Sequence, residues 1–118
     1  MRIAVWYWGR RGGGAHYTAA LVEALAQRTD VTVCAHVSSA LSTLDRLSCA
    51  LPTTVTAHVH TRRGLAGAIS VGTTSITEFV RRERPDVIIQ TMTNPVSPLA
   101  WPALRRTGVP VVDRKSVV

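Results

Sequence analysis

Short apolar runs alternate with longer stretches whose apolar residues recur at helical spacing, and this alternation lays out the elements of the chain. Arg2–Trp8 is apolar almost throughout and rich in Ile, Val and aromatics, the pattern of a strand buried on both faces. A glycine cluster over Gly9–Gly14 follows. From about Ala15 to Arg28 the pattern turns helical, with Leu21, Val22, Leu25 and Ala26 on one face. Thr29 and Asp30 lead into a second apolar run, Val31–Val37. Strand, glycine loop, helix and strand in that order make a βαβ unit, which pairs its strands in parallel.

The middle of the chain is patterned less sharply. Ser38–Ala50 spaces Leu41, Leu44 and Leu47 three apart, which predicts a short helix closed by Pro52. Thr53–Thr61 alternates Val55, Ala57 and Val59 with polar residues, as a half-exposed strand does. Gly64–Thr74 is small and glycine-spaced and reads equally as a loop or as the start of a helix. Thr74 or Ser75 is expected to cap a helix reaching about Arg84, with Glu78 completing a capping box. Arg84, Pro85 and Asp86 end that helix, and Val87–Thr91 has the length and content of a buried strand. Asn94 and Pro95 turn the chain, a helix follows over about Ser97–Arg106, and Thr107–Gly108 closes it. Val109–Val112 opens a fifth strand. The fold class is α/β: a doubly wound, mostly parallel Rossmann-like sheet with helices on both faces. At 118 residues and 46% hydrophobic content, the chain suits one domain around one core.

In such a sheet, ligands bind beyond the carboxyl ends of the strands. Two loops are placed there: the glycine loop after strand 1, and Thr91–Pro98 after strand 4. Gly12, Gly13 and Gly14 permit close backbone approach, because glycine lacks Cβ and accepts positive φ. The helix that follows aims its free N–H groups at the same space, which suits a phosphate or other anion. Arg10 and Arg11 add charge beside it. The bland alternative is a tight strand-to-helix turn.

Absent residues narrow the choice of anion. A dinucleotide fingerprint needs a third glycine where Tyr17 stands, and an acidic residue at the end of strand 2, which instead reads Ala35, His36, Val37, Ser38. A phosphate-binding P-loop needs Lys followed by Ser or Thr after the glycines, and Ala15 and His16 occupy those places. A phosphoacceptor receiver domain needs acids after strand 1, where the chain has Trp6, Tyr7, Trp8 and Gly9.

Charge adds a weaker constraint. Fourteen basic residues stand against 7 acidic ones, for a formal net charge of +7, which favours anionic partners. The arginines are scattered in pairs and triplets along the chain, as solvated helix ends and loops are, so nucleic acid is not the expected partner. Cys34 and Cys49 have no metal-ligand spacing, and Cys34 reads as a small buried hydrophobe. No signal-peptide architecture and no apolar run near the roughly 18 residues of a membrane span are present, so a cytoplasmic setting is expected.

The order of motifs resembles the N-terminal domains of family 4-type glycosyltransferases, which have the GT-B fold. The shared features are the opening "MRIAVW" strand, the glycine-rich stretch, the helix over Tyr17–Ala26, the strand beginning at Asp30, "RPDVI" at Arg84–Ile88 and "GVPVV" at Gly108–Val112. They span essentially residues 1–112. The resemblance implies sugar transfer from a nucleotide-sugar donor to a saccharide, lipid-linked or small-molecule acceptor, with retention and no catalytic metal or other cofactor. It implies that Gly12, Gly13 and Gly14 approach the donor diphosphate. His16 and Tyr17 at the helix start, with Thr93 and Asn94 in the neighbouring loop, become acceptor-side candidates. Relatives often carry histidine just after strand 4, whereas this chain has Thr91, Met92, Thr93 and Asn94. Catalytic and most donor-binding residues would belong to a C-terminal domain, so this portion alone is expected to be inactive. Lipid acceptors would bring the enzyme to the inner face of the cell membrane.

Other residues carry less. His58 and His60 share a strand face, but no carboxylate or cysteine accompanies them, so an exposed polar face is the expectation and a metal is not. Trp6 and Trp101 read as packing, while Trp8 keeps a stacking role in the crevice as its lesser reading. Glu23, Asp45 and Glu78 make no acid/base pair. Thirteen of the 14 basic residues are arginine, consistent with a GC-rich bacterial gene, and the lone lysine is Lys115. Residues 113–118 are the translation of the adapter oligonucleotide GATCGGAAGAGCGTCGTG, so they are expected to be a non-native tail after Val112. Without that tail the net charge is +6, since it holds Asp113, Arg114 and Lys115. A stand-alone nucleotide- or anion-binding module is the alternative to a transferase domain.

Overall fold

In the computed structural model, residues 1–9, 12–38, 42–50, 57–60, 64–91 and 100–113 are described. Along the chain come β1 (Arg2–Tyr7), α1 (Gly13–Ala26), β2 (Thr32–Ser38), α2 (Leu44–Ala50), β3 (Ala57–His60), α3 (Gly64–Glu83), β4 (Val87–Gln90), α4 (Trp101–Arg105) and β5 (Val111–Asp113). The five strands form one sheet in the order β3-β2-β1-β4-β5, and every pairing is parallel. This is the doubly wound α/β architecture expected from the alternation of elements.

Alternate residues of the central strands serve two separate cores, which is why β1 is apolar throughout. Val5 and Tyr7 pack with Val33, Ala35 and Val37 of β2 against Ala15, Ala19 and Val22 of α1 and Leu47 of α2. Ala4, Trp6 and Trp8 pack with Cys34 and Ile88 against Ile76, Phe79 and Val80 of α3, and against Ala100 and Leu104 at α4. The buried stripe of α1 is therefore Ala15, Thr18, Ala19 and Val22, with Leu21, Leu25 and Ala26 at its margin. Small residues let the start of α1 lie close on the sheet, which shifts the stripe toward the N-terminus of the expected face.

The largest departure from the expected elements is α3. It is one helix of 20 residues that runs through Thr74 and Ser75, so neither caps an N-terminus and no capping box forms with Glu78. Ser75 is directed to tertiary bonding instead: its Oγ lies 2.8 Å from His36 Nε2. Thr77 returns its hydroxyl to the Thr73 carbonyl at 2.7 Å, a local bond that a mid-helix threonine can make. The end of the helix falls where the sequence places it. Arg84 turns left-handed at φ 49, and Pro85 prevents continuation. Gly108, at φ 77, closes α4, while Thr107 Oγ1 donates to the Leu104 carbonyl at 2.6 Å. β5 extends through Asp113, which stands in register with Gln90. Pro52, the turn at Asn94–Pro95 and residues 114–118 lie outside the described residues.

Candidate functional site

Chain order reverses between β1 and β4, and the crevice of a doubly wound sheet opens at such a point. Beyond β1 the chain passes to α1, which packs with Val5 and Tyr7, whereas α4 packs on the opposite face with Trp6 and Ile88. The helices that follow β1 and β4 thus lie on opposite faces of the sheet, as they do at a switch point.

The exit from β1 has little room. A Cβ on Gly9 would overlap the Tyr7 phenol ring, and Tyr7 is itself buried. Burial pushes the Tyr7 hydroxyl above its ordinary pKa. Gly12 then precedes α1 at φ 96 and ψ −162, a region essentially reserved for glycine. Gly13 is exposed, with nothing among the described residues within 4 Å of a Cβ placed there, whereas Gly14 is buried. Among the described residues the α1 N-terminus has no side-chain cap, and its first turn holds no acidic residue. Its first N–H groups and the positive end of its dipole are therefore available to an anion.

His16 and Tyr17 are exposed on the first turn of α1, beside the glycines. The structure thus brings Gly12, Gly13, Gly14, His16 and Tyr17 to one end of one helix. Thr93, Asn94, Arg10 and Arg11 lie outside the described residues, as do the side chains of His58 and His60. Two contacts fix α1 in place. Thr43 Oγ1 donates to the Ala15 carbonyl at 3.2 Å, and the Thr18 and Thr91 hydroxyl oxygens lie 2.7 Å apart where α1 meets the end of β4.

Beneath the crevice lies a polar row that the sequence pattern does not reveal. His36, Trp6 and Gln90 stand in register across β2, β1 and β4. Trp8 Nε1 donates to His36 Nδ1 at 3.0 Å, with both residues buried. Indole is only a donor, so Nδ1 carries no proton, and Nε2–H must donate to Ser75 Oγ. Trp8 is 2% exposed and packs edge-on against Trp6, so it is core and does not face the crevice. Trp6 Nε1 and both amide atoms of Gln90 are buried and find no hydrogen-bond partner among the described residues.

Cys34, Glu23 and Arg2 serve the scaffold. Cys34 is buried, and desolvation, with a smaller contribution from the Glu83 charge, pushes its thiol up to about 12. Glu23 pairs with Arg46, joining α1 to α2, and Arg2 pairs with Glu83 at 3.0 Å. Among the described residues no helix is long and apolar enough to cross a membrane.

The sheet order, the uncapped helix after β1 and the switch point define a Rossmann-like domain. The chain belongs to the family described as "Glycosyl transferase 4-like domain", which matches residues 12–113. No curated protein sequence matches the chain. Among solved structures it is similar in fold to UDP-GlcNAc 2-epimerase from Neisseria meningitidis bound to UDP-GlcNAc, with TM-score 0.68 and 15% identity over 96% of this chain. A UDP-N-acetylglucosamine 2-epimerase from Listeria monocytogenes gives TM-score 0.68 at 18% identity over 94% of the chain. MurG from Acinetobacter baumannii gives 0.67 at 16% over 95%. The chain spans 31%, 30% and 34% of those proteins, respectively.

Proposed function

We propose that this domain is the acceptor-side half of a glycosyltransferase that moves a sugar from a nucleotide-sugar donor to a saccharide, lipid-linked or small-molecule acceptor. The observation that carries the reading is the uncapped α1 N-terminus at the switch point, preceded by Gly12 in a glycine-only conformation and opened by Gly13. Backbone amides there would stabilise charge developing on the leaving diphosphate, an electrostatic contribution made without reorganisation. His16 and Tyr17 would meet the acceptor. Membership of the glycosyl transferase 4-like family supports the reaction class. A UDP-sugar is the first donor to try, since one fold relative is described with UDP-GlcNAc bound.

Under this reading the complete protein has a second domain that holds most of the donor and the catalytic groups, and the domain alone is inactive. No metal or other cofactor is required. The complete protein would work in the cytoplasm, at the inner membrane face where its acceptor is lipid-linked. The test is thermal stabilisation of the complete protein by a panel of UDP- and GDP-sugars. Stabilisation by particular members of the panel is expected; no response to any of them contradicts the reading.

A further inference from the structure

At the amino-terminal edge of the sheet, opposite the glycine loop, the ends of α3 and α4 frame a groove of about 550 Å³. Its floor is apolar, from Val80, Pro85 and Val109, and its rim carries Arg81, Arg84 and Arg106. In sequence these arginines read as ordinary solvated helix ends. In the fold they converge from two helices on one concavity. An arginine at a helix C-terminus is commonly explained by the helix dipole, but that argument does not account for three around a groove.

Three acids at this edge of the sheet are already engaged. Glu83 is bound by Arg2 and Arg82, Asp86 accepts from the Arg2 backbone N–H at 2.7 Å, and Asp30 holds Arg28. Among the described residues none of the three rim arginines has an acidic partner. Arg84 also sits at φ 49, a conformation costly for a residue with a Cβ, which sets it at the lip of the groove. Unpaired guanidinium groups beside an apolar floor suit a phosphate-bearing ligand, because arginine binds phosphate through parallel charge-assisted hydrogen bonds.

We propose that this groove is an anion site: it takes the phosphate of a phosphorylated ligand among Arg81, Arg84 and Arg106, with the ligand's apolar part on Val80, Pro85 and Val109. The inference does not depend on the sugar-transfer reading. Two probes separate the sources of the phosphate. Inorganic pyrophosphate titrated into the complete protein by calorimetry represents a free ligand, and flotation with phosphatidylglycerol against phosphatidylcholine vesicles represents a lipid head group.

The combined variant Arg81→Gln, Arg84→Gln, Arg106→Gln is expected to weaken binding of whichever probe binds by about 10-fold or more, since charge-assisted bonds contribute this much. Because the glycine loop is itself proposed to take a diphosphate, pyrophosphate is titrated in the Gly13→Val background, which blocks the loop and leaves the groove at the opposite edge unaltered. Failure of the groove and failure of the glycine loop are thereby distinguished. Should the triple variant not fold, Arg81→Gln and Arg106→Gln singly, both at exposed positions, are each expected to weaken binding about threefold or more. Loss of pyrophosphate binding in the variants assigns a free phosphorylated ligand. Selective loss of phosphatidylglycerol binding assigns a head group. Equal behaviour of variants and parent toward both probes overturns the proposal.

Discussion

The hydroxyls of Thr18 and Thr91 are paired at 2.7 Å, both fully buried, and this bond seats the start of α1 on the end of β4 at the switch point. Replacing either threonine by valine keeps its shape and leaves the other hydroxyl buried and unpaired. Each of Thr18→Val and Thr91→Val is expected to destabilise the fold by about 1–3 kcal/mol. The double variant should cost clearly less than the sum, because it removes both polar groups together. Urea unfolding of the four proteins tests this, and strict additivity would show that the pair does not hold α1.

The link from Trp8 through His36 to Ser75 makes a sharper prediction. His36 should be neutral, with its proton on Nε2, because Nδ1 accepts from the Trp8 indole. Nitrogen chemical shifts of the ring read the tautomer directly, and a proton on Nδ1 would refute the arrangement. Ser75→Ala is expected to cost about 1 kcal/mol, the net worth of one buried hydrogen bond.

Gln90 buries both amide atoms beside Trp6 without a partner among the described residues. A buried unpaired polar group costs about 1–3 kcal/mol, so Gln90→Met, similar in size and without polar demand, should raise stability by about 1 kcal/mol. Chemical denaturation checks the sign. A loss of stability of that size would mean that the amide is bonded in solution.

Cys34 gives the pH dependence. Its folded thiol is pushed up to about 12 from an ordinary value of 9.0, mainly by desolvation. Between those values the unfolded chain releases a proton that the folded chain retains. Stability from this group is therefore full below about pH 9 and declines as pH rises toward 12. Cys34→Ala should flatten that alkaline decline. The native thiol should also resist alkylation at pH 8.5, because reactivity requires the thiolate. Rapid labelling of Cys34 in the folded protein, read by mass spectrometry, would contradict its burial.

Local periodicity made the order of elements legible, together with the glycine loop, because each element buries a face that its own residues announce. Ser75 was misleading for a physical reason. A serine followed three places on by Glu78 has the composition of a cap, yet its hydroxyl is used by His36, 39 residues away. The pairs Trp8–His36 and Thr18–Thr91 join residues 28 and 73 apart, so no window along the sequence contains them. The arginine groove was hidden likewise: Arg81 and Arg106 meet only because α3 and α4 both end at the same edge of the sheet. His36 carried one available signal, an imidazole within an apolar run, which in a core must find hydrogen-bond partners.

The central claim is that the opening at Gly12–Gly14 receives the donor diphosphate. Among the described residues a side chain at Gly13 meets nothing, so Gly13→Val should leave the melting temperature nearly unchanged while projecting into the space the diphosphate would occupy. Sugar transfer by the complete protein, measured as kcat/KM with its preferred nucleotide sugar, tests the point. The account predicts a loss of about 10-fold or more, as small displacements of a reacting group commonly produce. Unchanged kcat/KM with Gly13→Val would contradict it.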